Sequence, residues 1–487
     1  MTYEYIIWLE IHIKLHTRHK IFCFCENTQD FDSTAPNTHI CPTCTAQPGS
    51  LPIINKECID TAIRLWHIFG SELNKQFSRD RKSYFYPDSP TGYQITQFAQ
   101  PIIKWGKVSF YTDNFQHEHT APIHEAHLEN DTAKTITIDG TTYIDFNRSG
   151  GPLIEIVTEP YFTNDDQVIE FLKELQRLVR WNDIGYADLE KGQMRVDVNL
   201  SVKPIGQKQL GVRNEVKNLN SFAAIRKAIA YEYQRHSEIL AQWQTIEQET
   251  RWRDDTKGQT YTLRSKEQAH DYRYFTEANL PAVDPTTIDR EAKSEIVRWF
   301  DRIRQLKEFG FHKEYIHGLM NNEFLYGWFQ DAIKEWYDPK TLAKRLLWPI
   351  AAVYNEWGET SIKLTTQTFV EFVDTVTKNN INDNVAKQIM EEILQWHRLD
   401  YAMQRHIDIN QVGGESIRRR DIHELIDENE KAFEDYKGWK TTTKAFFVWL
   451  LMKKTKWSIN AGIANTLVWK VLDERVAWKH FMTSDTE

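Results

Sequence analysis

Two residues on one short run carry the first chemical signal. In Ile6–His16 the odd positions Ile7, Leu9, Ile11, Ile13 and Leu15 are aliphatic, while Glu10, His12, Lys14 and His16 fall on the even positions. Successive side chains of a strand point to opposite faces, so this run predicts a strand with one face in a core and the other carrying ionisable groups. A carboxylate and an imidazole two positions apart suit a divalent cation. Taken alone, the run fits a solvated strand face equally well. Four more segments share the pattern. Ile123–Asp131 places Glu125, His127, Glu129 and Asp131 on one side, and Arg195–Lys203 alternates Val196, Val198, Leu200 and Val202 with Arg195, Asp197, Asn199, Ser201 and Lys203. Arg213, Glu215 and Lys217 repeat it, as do Asp145 and Asn147. Antiparallel sheets commonly bury one face only, and these polar faces together read as the floor of a reaction cleft.

The cysteines form a second constellation. Cys23-x-Cys25 and Cys41-x-x-Cys44 are two close pairs, with Cys58 apart. Their spacing fits a tetrahedral four-thiolate zinc site better than disulfides; the alternative is a set of reduced, partly buried thiols. A third signal is the aromatic run Tyr84-Phe85-Tyr86-Pro87-Asp88 after Arg79, Arg81 and Lys82, which could hold phosphate or stack on a base, or could simply pack a loop root. Basic and aromatic residues return at Arg264, Lys266, His270, Tyr272, Arg273 and Tyr274. The chain contains neither G-x-x-x-x-G-K-[ST] nor a G-x-G-x-x-G after a strand, nor G-x-S-x-G. An ATP-using chemistry must therefore hold phosphates by cations and side chains.

The elements that position these residues follow from period and punctuation. Residues 1–160 are strand-rich, with a short helix near 56–69. Thr163-x-x-Asp166 resembles a capping box and opens a helix over 165–180; a second helix spans 221–242 from Asn220-Ser221. These two bracket the polar-faced strands and predict a sheet backed by helices. The text changes at Leu280–Pro285, is helical in period from about 291 to 405, and breaks again at Gln411–Glu415. The expected fold is α+β: a cradle domain over 1–290 on an antiparallel sheet with flanking helices and a zinc-binding insertion, an all-α domain over 291–405, and a small helical tail over 406–480. Lys437, Lys440 and Lys453-Lys454-Thr455-Lys456 make the tail a candidate nucleic-acid contact or a solvated surface. The 487 residues have a net charge of −9 and 41% hydrophobic content. That composition is of a soluble globular protein, with no apolar run near the ~20 residues of a membrane span and no signal-peptide pattern, so the cytoplasm is the expected compartment.

Several long motifs in order resemble one family. LEIHIKLHTRHKIFCFC, CPTCTAQPGSLPIINK, DRKSYFYPDSPTGYQITQ, IDFNRSGGPLIEIVTEP, EKGQMRVDVNLSVKP, VRNEVKNLNSF and RSKEQAHDYRYF are similar to the B subunit of glutamyl/aspartyl-tRNA amidotransferases, from residue 4 to about 280, and IDENEKAFEDYKGWK resumes the likeness in the tail. The resemblance implies a ligase that takes a tRNA carrying Glu or Asp in place of Gln or Asn. With ATP and magnesium it phosphorylates the side-chain carboxylate, and ammonia from a glutaminase A subunit displaces the phosphate, a small C subunit completing a heterotrimer. On that likeness Glu10, His12, Glu129 and Asp131 are catalytic, and Glu10, His12, His127, Glu129 and Asn130 hold magnesium. Cys23, Cys25, Cys41 and Cys44 hold zinc, and Arg81, Lys82, Tyr84, Asp197, Asn199, Lys217 and Arg273 meet ATP or substrate.

The chain departs from the family at Asn130, where a Glu is expected, in Asp131-Thr132-Ala133-Lys134 for D-A-G-K, and in Pro90-Thr91-Gly92 for P-K-G. Asn130 keeps a catalytically weakened tRNA-binding scaffold in view; a metal-dependent phosphotransferase on a small molecule is the other alternative. Finally, 17 Trp stand beside only 20 Gly, roughly 4% glycine against a usual ~7%. Trp8, Trp243, Trp439, Trp449 and Trp457, with Trp66 and Trp252 as further cases, occupy positions where the family has Gly. Reading of UGA as glycine in the source organism would produce that pattern; repacking around extra aromatics is the alternative.

Overall fold

In the computed structural model the chain divides into two compact units, Met1–Arg302 and Ile303–Glu487. The structure describes residues 2–29, 33–254, 256–265, 271–284, 296–320, 323–334, 338–351, 365–379, 381, 383–396, 402, 414–437, 442–454 and 461–483. Lys266, His270, Pro285, residues 411–413, Trp439, Lys440, residues 455–457 and the expected boundaries at 290/291 and 405/406 lie outside them.

The first unit is built on strands β1 (Tyr3–Lys14), β2 (Glu72–Leu73), β3 (Asp80–Ser83), β4 (Tyr93–Thr96), β5 (Ile103–Thr112), β6 (His117–Asn130) and β7 (Lys134–Ile138). They are followed by β8 (Thr141–Asp145), β9 (Pro152–Thr158), β10 (Met194–Pro204), β11 (Arg213–Leu219), β12 (Glu249–Asp254), β13 (Gln259–Ser265) and β14 (Phe275–Thr276). Nine form one sheet in the order β13-β12-β11-β10-β1-β9-β6-β5-β2. The N-terminal strand thus lies at the centre, antiparallel to both β10 and β9. The expectation of an antiparallel sheet holds except at one pair: β11 and β12 run parallel. The reason is the connection, since a helix lies between them and returns the chain to the same end of the sheet. A three-stranded sheet, β14-β3-β4, and the hairpin β7-β8 complete the unit.

Helices α1 (Lys56–Phe69), α2 (Asp165–Trp181) and α3 (Phe222–Ala241) cover the apolar face. Ile7, Leu9, Ile11, Ile13 and Leu15 are fully buried there, each worth ~1.5–3 kcal/mol relative to exposure. The start of α2 differs in detail from the expected capping box. Asn164 is the cap, accepting from the Gln167 N–H, and the Gln167 carboxamide accepts in turn from the Thr163 N–H. Ser221 caps α3 as expected.

The C-terminus of α3 is unusual. The Trp243 N–H donates to the Leu240 carbonyl and the Gln244 N–H to the Ile239 carbonyl, the paired bonds that end a helix through a left-handed residue. Trp243 holds that position at φ +59 and is 83% exposed. In α1 the same place is taken by Gly70 at φ +55. Trp105, in β5, also has φ +55. For a residue with a Cβ this backbone costs ~1–2 kcal/mol.

Among its described residues, every element of the second unit is a helix. Its C-terminal part comprises Gly414–Glu428, Glu430–Lys437, Thr442–Lys454 and Ala461–Thr483, packed around Ile422, Phe447, Leu451, Val468 and Leu472. The expected helical tail thus contains four helices among its described residues. Among the described residues no helix is long and apolar enough to cross a membrane.

One buried carboxyl couples folding to pH. Glu174 in α2 is fully enclosed, accepting from the Phe300 N–H at 3.1 Å with Arg177 at 3.5 Å. Burial, only partly offset by Arg177, pushes its pKa up to about 8. Its native pKa therefore lies above that of the unfolded chain, ~4.3. The stability it allows is complete below that value and lost as the pH rises through about 8. Urea denaturation should show the midpoint falling between pH 5 and pH 8 in the wild type and falling less in Glu174→Gln; equal slopes would contradict this assignment.

Candidate active site

The polar face of the large sheet brings the charged residues together in rows fixed by strand register. Across one row Arg195 of β10 pairs with His12 of β1, His12 with Glu155 of β9, and Glu155 with His127 of β6. In the next, Asp197 pairs with Glu10, Glu10 with Val157, and Val157 with Glu125. In a third, Glu215 pairs with Asn199 and Asn199 with Trp8. Because the pleat repeats every second residue, each row adds one layer of side chains to the same floor.

Two groups of donors result. His12, Glu129 and Glu155 offer ligand atoms all within 4.8 Å of one another, and so do Glu10, Asp197 and Glu215. The His12 Nε2 lies 3.4 Å from Glu129 and 3.3 Å from Glu155, and the His127 Nε2 lies 3.2 Å from Glu155. Burial alone would lower the His12 pKa, but the Glu155 and Glu129 carboxylates outweigh it and push it up to about 9. Burial likewise works against a charged Glu155, and the two imidazoles win, holding it well below the usual carboxylate range. The His127 Nδ1 is buried without a hydrogen-bond partner, Glu125 being 3.8 Å away.

In the second group, burial and the neighbouring Glu215 and Glu155 charges push Glu10 up. Lys217 bridges Asp197 at 2.5 Å and Glu215 at 2.9 Å, and the Asn199 Nδ2 donates to Glu10 at 3.1 Å. The raised pKa of Glu10 among like charges is what a bound divalent cation would relieve. The all-carboxylate group fits magnesium, and the imidazole-containing one fits magnesium or manganese.

Over this floor lies a cavity of about 460 Å³ lined by His12, Lys82, Tyr84, Asp197, Lys217 and Tyr272, among others. Lys82 reaches in from β3, its ammonium 4.8 Å from the Tyr272 ring centre. Burial opposes its charge, and Glu129 foremost restores it, so its pKa is raised. Tyr84 and Tyr86 stack at 5.5 Å beside exposed Phe85.

Several expected site residues are placed elsewhere. The Asn130 carboxamide oxygen accepts from the Ile95 N–H at 2.7 Å, tying β6 to β4. Asp131 is held below the usual carboxylate range: burial opposes its charge, and Arg195 and Arg148 outweigh it. It pairs with Arg195 at 3.1 Å, outside both groups. Arg81 makes a two-pronged ion pair with Glu277, and Arg79 is buried with a bond to the Pro281 carbonyl. Arg273 lies over the Phe85 ring at 5.6 Å, outside the lining of the cavity. Asp145 and Asn147 accept from the Asn37 and His39 N–H groups and so fasten the cysteine-bearing loop to the end of β8 instead of lining the cleft. Glu155 and Glu215 were not among the expected ligands. Glu155 had a legible signal: it is the one charged residue in the strand P-L-I-E-I-V-T.

The four cysteines converge between β1 and α1, their sulfurs within 4.8 Å of one another. The Cys25 and Cys44 sulfurs are 4.0 Å apart, close to the about 3.8 Å that two thiolates on a tetrahedral Zn²⁺ require. The Cys44 thiol is drawn down to about 5 by the Cys23 hydrogen bond and by Lys20, whose buried ammonium is 3.6 Å away. Burial pushes the Cys25 thiol up to about 12.

A mixed sheet that gathers acidic and imidazole side chains under a cavity walled by lysines makes up a candidate active site. Comparison with known proteins identifies the family. The GatB/GatE catalytic domain profile matches residues 5–291 and the GatB domain profile residues 327–472. The aspartyl/glutamyl-tRNA(Asn/Gln) amidotransferase B subunit of Methylacidiphilum infernorum is 36% identical over 488 residues, covering 97% of this chain and 100% of its own. Those of Thermodesulfovibrio yellowstonii and Clostridium tetani are each 34% identical, covering 97% and 96% of this chain and 100% and 98% of theirs. The chain belongs to the family of amidotransferase B subunits.

Proposed function

We propose that this chain converts Glu-tRNA(Gln), Asp-tRNA(Asn) or both to the amidated forms, activating the side-chain carboxylate with ATP before ammonia attacks it. The observation that carries the reading is the pair of donor groups under one cavity with lysines at its wall. Glu10, Asp197 and Glu215 on one side of His12, and His12, Glu129 and Glu155 on the other, would hold Mg²⁺. Bound there it supplies neutralisation of phosphate and carboxylate oxygens.

The chain's own residues do the rest. Asn199 fixes the Glu10 carboxylate. His12 and His127 brace Glu155 from both sides. Lys82 and Lys217 present ammonium groups to the anionic acceptor, which carries the negative charge that phosphoryl transfer must stabilise. Tyr84 and Tyr272 wall the cavity and limit water. The closed cysteine site is assigned to structural zinc. The tail, where Lys444 and Lys453 lie over Trp469 and Trp449, is assigned to tRNA contact without chemistry. The partners are a glutaminase A subunit that releases ammonia and a small C subunit, in the cytoplasm. The domain limits 1–290, 291–405 and 406–480 form part of the same proposal. Asn130, bonded to β4, gives the weakened-scaffold alternative no support.

Two measurements test this. In the assembled enzyme, Glu10→Gln and His12→Ala should lower ATP-dependent phosphorylation of the aminoacyl side chain by about a hundredfold or more, with tRNA affinity unchanged; wild-type phosphorylation in either variant would refute the assignment. Elemental analysis should find zinc in the wild type and its loss in Cys41→Ser, with a lower melting temperature. Zinc-free protein of the same melting temperature would rule the site out.

A further inference from the structure

The parallel pairing of β11 with β12 sets a threonine against one of the donor carboxylates. Glu215 and Thr250 are partners in that ladder, and Lys217 and Trp252 are partners two residues on. Paired residues of neighbouring strands share a face, so Thr250 stands on the polar floor beside Glu215. The next residue, Arg251, points the other way and donates to Glu232 of α3. The Thr250 hydroxyl donates to the Glu215 Oε2 at 2.8 Å, and both residues are buried. From β13 the Arg264 Nε donates to the same hydroxyl oxygen at 3.4 Å. With a lone pair engaged by that guanidinium, the hydroxyl is left to aim its one proton at the carboxylate.

The other oxygen of Glu215, Oε1, is held by Lys217 at 2.9 Å, and the same ammonium reaches Asp197. The two contacts differ in what an incoming cation does to them. A divalent ion entering among Glu10, Asp197 and Glu215 repels the Lys217 ammonium, whose flexible stem lets it turn to the cavity it lines. The Thr250 hydroxyl carries no charge to be repelled. Its β-branched side chain has few χ1 options, and its backbone is fixed in the ladder. Asn199 holds Glu10 from β10 in the same way, through an uncharged donor.

We propose that Thr250 is a positioning residue for the phosphorylation step, holding the Glu215 carboxylate in the orientation that ligates Mg²⁺ together with Glu10 and Asp197. Thr250 acts through Glu215, so its contribution is to cation affinity. Partners of this kind behind a metal ligand are worth about 10–100-fold in metal affinity. The inference rests on the reading of this donor group as a magnesium site, given above.

Thr250→Val keeps the shape and branching of the side chain and removes only the hydroxyl, Thr250→Ala makes no demand on packing, and Thr250→Ser restores the donor. In the assembled enzyme, Mn²⁺ binding followed by electron paramagnetic resonance should weaken about tenfold at one class of site in the valine and alanine variants and stay close to wild type in Thr250→Ser. The magnesium concentration for half-maximal ATP-dependent amidation should rise by about the same factor, with turnover at saturating magnesium within about twofold of wild type. Wild-type Mn²⁺ affinity in Thr250→Val and Thr250→Ala, alongside weakened binding in Glu215→Gln, would overturn the role of Thr250 alone. Turnover lost at every magnesium concentration with Mn²⁺ affinity intact would overturn it too. Wild-type Mn²⁺ binding in Glu215→Gln would remove Glu215 from the cation reading itself, and Thr250 with it.

Discussion

Everything at the proposed site depends on the two-residue period of the central strand. Burying Ile7, Leu9, Ile11, Ile13 and Leu15 against α1, α2 and α3 leaves β1 no freedom to slip, since a one-residue shift would drive Glu10 and His12 into the core. The strand is flanked on both sides, so its register also determines which residues of β9 and β10 face His12. The hydrophobic effect thus places the ionisable groups. Their mutual electrostatics then shift their titration, raising the His12 and His127 pKa and holding that of Glu155 well below the usual carboxylate range despite burial.

Much of this architecture was legible in the amino-acid text. Alternation in Ile6–His16 and Arg195–Lys203 marked the polar face, a short helix was expected near 56–69, and helical period with polar caps marked α2 and α3. Pattern alone could not show which polar residues converge, because convergence depends on register between strands far apart in sequence. Asn130 and Asp131 continue the text of a ligand strand, yet β6 ends at Asn130. Asn130 turns to β4 and Asp131 to two arginines. Glu155 escaped notice for the complementary reason: a single charge in an apolar strand makes no alternating pattern, although it pairs across to both His12 and His127.

The arginines show the same limit. Arg81 stands beside Lys82 in sequence, but adjacent residues of a strand face opposite ways, so one is tied to Glu277 while the other reaches the cavity. Cationic text near an aromatic loop therefore said that a charged rim existed without saying which cation was committed to structure. The cysteine loop was the opposite case. Its four cysteines lie close in sequence, and short loops leave few ways to arrange them.

Anomalous diffraction from crystals of the enzyme soaked in Mn²⁺ tests the central arrangement most directly. Manganese is expected at His12, Glu129 and Glu155, at Glu10, Asp197 and Glu215, or at both groups. Manganese bound instead at Asn130 and Asp131, or bound at neither donor group, would contradict the proposed cation site on the central strand.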